Sequence, residues 1–377
     1  MIRRINVTIA LSALFVFLMS GSAYAYKMGD VDVTVDAQIG ETYDDNITYE
    51  KDDKKSDFIT ALTAGIAGKY EGRRVTIDVS GDVTEQLYAE HSNFNNTSET
   101  ASAVCLYEIS KYDRINLKDT FSHTYEPRSF EEEFGVNRGH YSYFRNKFYI
   151  DYTRDISKQL SAIVRYTNSL DVPSIEDISD SYLNSAGVEL DYLVSSQTIV
   201  LGSYDFSIRK FDPGNDAKTH AAAFGLRQYI TKQFYFDGRV GLDYLNSYNG
   251  QNYTKPMFMA SLTDDLDKNT SIAVSFTKQY QTNAYSQDLF NYWEISGSFK
   301  RQLTKRLRFA GSVFYGNGEY MSGDISDDLF GGKAAFFYDM TEHLSAELSY
   351  RYSMTDSNAS YREYKKNTVF LGMTAEF

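Results

Sequence analysis

Two short runs place a histidine next to a hydroxyl. His91-Ser92-Asn93 and His140-Tyr141-Ser142 both lie near acidic residues. Acyl transfer by serine needs a base within hydrogen-bond reach of the hydroxyl and a third group orienting that base. Adjacency along the chain does not supply this geometry. The five histidines, His91, His123, His140, His220 and His343, are scattered. The sequence therefore predicts no enzyme and no catalytic residue. A protease or lipase reading would have to run through His91 or His140.

Two oxygen-rich runs, Asp44-Asp45-Asn46 and Asp324-Ile325-Ser326-Asp327-Asp328, carry ligand types that calcium favours. Neither has the twelve-residue loop spacing with a central glycine and a terminal glutamate. No metal and no cofactor is expected, and the runs read as solvated acidic loops. Cys105 is the single cysteine, so no intrachain disulfide is possible. In Ala103-Val-Cys-Leu-Tyr-Glu-Ile109 it falls in step with Ala103, Tyr107 and Ile109. It reads as a small lipid-facing residue.

The remaining charges fall on a pattern. Val75, Ile77, Val79, Gly81 and Val83 alternate with Arg74, Thr76, Asp78, Ser80, Asp82 and Thr84. Leu344, Ala346, Leu348 and Tyr350 alternate with Ser345, Glu347, Ser349 and Arg351. Phe234, Phe236, Val240, Leu242 and Tyr244 stand against Asp237, Arg239 and Asp243. A period of two belongs to a strand with two different solvents on its faces. An Arg or Lys on a lipid face costs ~2–4 kcal/mol at mid-depth, so these charges must turn inward. The predicted pore-lining set is Arg74, Asp78, Asp82, Arg165, Arg227, Asp237, Arg239, Asp243, Glu347 and Arg351. Solvated, cross-strand-paired wall charges are the plainer reading of the same residues.

Such segments recur at roughly ten-residue length between two kinds of connection, the rhythm of a transmembrane barrel. Short polar turns such as Tyr70-Glu-Gly-Arg73 and Arg301-Gln-Leu-Thr-Lys-Arg306 are expected in the periplasm. Longer acidic loops, from Asp44–Ser56 to Thr355–Lys365, are expected outside the cell. The count is about eighteen strands, with sixteen as the alternative. Residues 105–125 and 197–209 alternate poorly. The longest loop, Tyr125 to Gly139, is a candidate constriction loop through Arg128, Glu131, Glu132, Glu133 and Arg138; the alternative is a solvated outer loop.

Composition agrees. The chain holds 32 Tyr and 25 Phe but 4 Pro. Tyrosine suits a membrane interface, and proline removes a donor that a closed sheet needs. The formal charge of −13 disfavours a nucleic-acid partner, which needs a basic footprint. A basic start at Arg3-Arg4, an apolar run Val7–Met19 and a small-x-small site at Ala23-Tyr24-Ala25 read as a cleaved signal peptide over residues 1–25. Residues 26–377 then form one all-β domain, an antiparallel up-and-down barrel in the bacterial outer membrane. The last segment alternates through Val369, Leu371, Met373 and Ala375 to Phe377. A terminal Phe after such a strand resembles the insertion signal of bacterial outer-membrane barrels. The implied partners are outer-membrane lipid and lipopolysaccharide and the barrel assembly machinery.

Gly40-Glu-Thr-Tyr-Asp-Asp-Asn-Ile47 and Ser56-Asp-Phe-Ile-Thr-Ala-Leu-Thr-Ala-Gly-Ile-Ala-Gly-Lys-Tyr-Glu71 resemble the opening hairpin of the β-barrel porin family associated with exopolysaccharide and exosortase gene clusters. The resemblance implies an outer-membrane channel passing a secreted polysaccharide, with polysaccharide export components as partners. It brings no catalytic residues. The alternatives are a general or substrate-selective porin for small hydrophilic solutes, and a structural or adhesive barrel.

Overall fold

The computed structural model describes residues 26–125, 141–175, 178–248, 250–282, 289–321 and 325–377. The signal segment 1–25 and all five constriction-loop candidates, Arg128 to Arg138, lie outside the described residues, as does His140.

The strands are β1 (Tyr26–Met28), β2 (Val31–Asp44), β3 (Asp57–Glu71), β4 (Val75–Tyr88), β5 (Asn96–Glu108), β6 (Asp113–Thr124), β7 (Tyr143–Asp155), β8 (Leu160–Pro173), β9 (Asp180–Ser195) and β10 (Thr198–Asp212). They continue as β11 (Asp216–Tyr229), β12 (Phe234–Asn246), β13 (Asn252–Asp267), β14 (Thr270–Thr282), β15 (Leu289–Gln302), β16 (Leu307–Tyr320), β17 (Ser326–Asp339), β18 (Leu344–Ser357) and β19 (Tyr364–Glu376). Each strand from β2 onward pairs antiparallel with its neighbour in sequence, and β19 pairs back onto β2. Eighteen strands thus close a barrel, and the stub β1 pairs only with the start of β2.

Closure removes the sheet edges that bare backbone groups would otherwise present to lipid. The seam is sealed by the chain's last residue. The Phe377 N–H donates to Val35 O at 2.9 Å, and the Val35 N–H donates to Phe377 O at 2.8 Å. The Phe377 ring packs with Ala37, Ala375 and Leu344, and His343 stacks on it at 5.6 Å.

One turn missing from the sequence pattern is Ser195–Thr198, where only Ser196 and Gln197 separate β9 from β10. At the start of β10, Ile199, Val200 and Leu201 are apolar on both faces. Leu201 is buried on one face beside Gly225, and Tyr204 and Phe206 lie on the other. Alternation in hydropathy disappears there, and the β9–β10 register shifts between Thr198 and Ile199.

Rings form two girdles on the outer face. Tyr43, Tyr182, Tyr244 and Tyr315 lie toward the loop end, and Tyr107, Tyr192 and Tyr338 toward the turn end. Between them lie exposed Ile66, Val79, Val164, Val188, Val240, Val313 and Leu348. An apolar band between aromatic girdles is what a bilayer selects.

Candidate functional site

Polar side chains reach one another across strands that do not pair. Arg165 on β8 meets Asp205 on β10. Arg239 on β12 meets Glu189 on β9 at 2.7 Å. Three strand spacings are about 14 Å. Side chains can bridge that gap only where the wall is concave, so this face is the lumen.

Arg165 donates from Nε and Nη2 to the two oxygens of Asp205 at 2.9 and 2.8 Å, and from Nη1 to Glu189 at 3.2 Å. Glu189 passes the chain to Arg239, Arg239 to Asp237 at 3.3 Å, and Asp237 to Arg227 at 2.9 Å. Guanidiniums and carboxylates therefore alternate continuously from β8 to β12. Nearer the loop end, buried Asp171 accepts from the Tyr143 hydroxyl at 2.5 Å, Arg145 Nε at 2.6 Å and Arg209 Nη1 at 3.4 Å. Fixed guanidiniums and carboxylates of both signs make a wall that hydrates well without a strong net field.

This wall bounds a cavity of about 590 Å³. Ser169, Ser185, Ser203, Ser207 and Thr219 contribute hydroxyls to it, and Gln279, Tyr280 and Thr282 close one side. Those last three come from β14, and their position has a clear cause. The β13–β14 ladder stops at the pair Phe258–Lys278. Two positions further on, the register would set Pro256 against Tyr280, and proline has no N–H to donate. The Tyr280 N–H turns instead to Asp243 Oδ2 on β12, at 3.2 Å. Thr282 Oγ1 accepts from Arg209 Nε on β10, at 3.3 Å. Tyr280 and Leu289 pack with Phe211, Ala217, Leu245 and Tyr248. Because β14 and β15 stay paired through Thr282–Leu289, both strand ends lean into the lumen together. Among the described residues these strand ends reach across the lumenal side of the wall to β10 and β12.

Of the pore-lining set, Arg165, Arg239 and Asp243 line the cavity. Arg227 and Asp237 belong to the same charge chain. Asp78 and Asp82 lie on the opposite part of the wall, where Asp82 accepts from Thr100 Oγ1. Arg351 stands directly opposite Lys333, and Glu347 pairs with Lys333 at 3.2 Å. Arg74 sits in the turn before β4, exposed, and reaches Ile109 O. Alternation places Glu189 on the inward face with Asp191 and Arg227, but spacing does not single out Arg145, Arg209, Asp171 or Asp205. Asp171 and Arg209 lie near strand ends, where the alternation merges into loop polarity.

The described members of the oxygen-rich runs are tied internally, while Asp324 lies outside the described residues. Asp44 is paired with Lys366 at 2.8 Å, and Asp45 accepts from Asn367. Asp327 holds Arg362 through a two-pronged ion pair beneath the last long loop. Burial alone would lower the Arg362 pKa; the hydrogen bonds to Asp327 outweigh it and keep the guanidinium charged. His91 Nδ1 bonds Asp57 Oδ2 at 2.9 Å and lies against Phe94.

Residues 273–377 match the family model described as "Putative beta-barrel porin 2". The chain is a porin-like β-barrel of the bacterial outer membrane. The match covers the carboxy-terminal strands, from β14 to Phe377, rather than the opening hairpin that resembles the family. Among solved structures, the barrel is similar to Pseudomonas aeruginosa OpdQ, with 11% identity, a TM-score of 0.50, and coverage of 93% of this chain and 100% of that one. Pseudomonas aeruginosa OccK5 (OpdH) aligns at 11% identity and TM-score 0.49, over 93% and 99% of the two chains. The siderophore receptor PirA from the same organism aligns at 9% identity and TM-score 0.44, over 92% and 80%. At these identities the likeness is one of fold. No curated protein sequence matches the chain.

Proposed function

We propose that the barrel is a passive aqueous channel for hydrophilic, uncharged or mixed-charge solutes, with carbohydrate as the cargo class. Eighteen strands enclose a lumen too wide for wall side chains to fill. The observation that carries the reading is the cavity under the β14–β15 ends. Its wall combines five small hydroxyls with neutralised Arg–carboxylate pairs, so a polyhydroxylated solute finds donors and acceptors at every point. The resemblance of the opening hairpin favours a secreted polysaccharide within that class.

A second reading, a porin for small solutes, is favoured by the contact between Arg209 and Thr282, which narrows the lumen on one side. Planar-bilayer recordings separate the two. Oligosaccharides several residues long that block the open current in a concentration-dependent way support the polymer reading. Passage of monosaccharides with no block by longer chains supports the small-solute reading. Absence of any ion current contradicts both.

A further inference from the structure

The lipid-facing side of the barrel carries a hydrogen-bonded serine, histidine and glutamate. Glu99 on β5 and His123 on β6 are directly opposite in register, and Ser142 immediately precedes β7. His123 Nδ1 lies 2.6 Å from Glu99 Oε2, and His123 Nε2 lies 2.7 Å from Ser142 Oγ. The nucleophile–base–orienter order, with the acid on Nδ1 and the hydroxyl on Nε2, is the arrangement that activates a serine. Phe144, paired with His123, is on the face opposite to the cavity-lining Arg145, so all three groups point away from the lumen.

Depth sets the substrate. His123 is the penultimate residue of β6 at the loop end. Directly below it Phe121 packs edge-on against Phe144 at 5.2 Å, and below them Leu117 faces Ile150. The three groups therefore stand where hydrocarbon gives way to headgroups, the level at which lipid ester carbonyls lie. The side chains of His123 and Glu99 are 26% and 39% exposed, so a lipid ester can reach them from the bilayer.

We propose that Ser142, His123 and Glu99 form an esterase site acting on long-chain acyl esters of outer-leaflet lipids. Ser142 Oγ attacks the acyl carbonyl, and its proton passes to His123 Nε2. The ester C–O bond breaks, and His123 returns that proton to the departing alcohol oxygen. Glu99 keeps the imidazole oriented and offsets its charge while protonated. Water, deprotonated by His123, then attacks the acyl-serine. A free carboxylic acid leaves and the Ser142 hydroxyl is restored. This activity is independent of the channel, since none of the three residues lines the lumenal cavity.

The test uses the full mature barrel in detergent. A long-chain fluorophosphonate should add one adduct, located on Ser142 by peptide mass and absent in Ser142→Ala. Fatty acid release should be followed from phosphatidylethanolamine–phosphatidylglycerol vesicles and, separately, from purified lipopolysaccharide. Release from the first assigns a glycerophospholipid ester, and release from the second a glycolipid ester. Ser142→Ala and His123→Ala should each lower release at least about a thousandfold, as for other members of such a unit. Glu99→Gln should lower kcat with little change in KM. Unchanged ion conductance and heat-dependent gel mobility in Ser142→Ala confirm an intact barrel. No adduct together with no fatty acid from either lipid overturns the proposal, as does hydrolysis that survives Ser142→Ala.

Discussion

Arg165 and Asp205 stand on β8 and β10, with β9 between them, and form a two-pronged ion pair across it. They meet because Gly187 is the β9 residue in register with both. A Cβ on Gly187 would collide with Asp205 Oδ1 and lie 2.9 Å from Arg165 Nε. The charge chain around the lumen thus depends on a missing side chain.

Gly187→Leu should break that pair without touching either partner. Both charged groups are partly hydrated, so the loss should be modest, about 1.5–3 kcal/mol for charged hydrogen bonds. A lower urea midpoint for unfolding from detergent, with noisier single-channel current as Arg165 becomes free to move, would bear this out. An unchanged midpoint and a quiet current would show that the pair contributes little.

Asp327→Ala should be costlier. Asp327 is fully buried, and the Arg362 guanidinium it holds is 5.3 Å from the Tyr320 ring centroid. Removing one partner leaves a buried charge uncompensated, at about 3–5 kcal/mol. The loop between β18 and β19 should then open, giving new proteolytic cuts within residues 358–363. A wild-type digestion pattern would mean that solvent already reaches Arg362.

Deletion of Phe377 removes two backbone hydrogen bonds and a ring from the closing seam. Truncating a packed phenylalanine costs on the order of 3 kcal/mol. The mature protein should build up in the periplasm, and the fraction in the outer membrane should fall. Normal outer-membrane levels of the truncated chain would show that β19 seals the seam unaided.

Much of the fold can be read from the chain because a lipid face tolerates so few residue types. Alternation and the long acidic loops give eighteen strands and their order. It fails where chemistry depends on neighbours in register. Pro256 carries no signal until the β13–β14 register is extended to the position that would set it against Tyr280. Gly187 looks like any strand glycine until Arg165 and Asp205 are set on either side. Spacing links Ser142 to His140, two residues away, but the ladder links it to His123 and Glu99. Asp205 and Arg209 carry no local signal, because a strand of alternating polarity shows only which face is wet.

The most direct test of the channel account compares single-channel conductance of the wild type with Pro256→Val. A valine at this position restores the missing N–H, so the β13–β14 ladder can extend past Phe258–Lys278 and draw the β14–β15 ends back to the wall. The account predicts an open aqueous pore in the wild type and a larger, steadier conductance in the variant. A wild type that carries no current, or a variant with the same conductance, would contradict it.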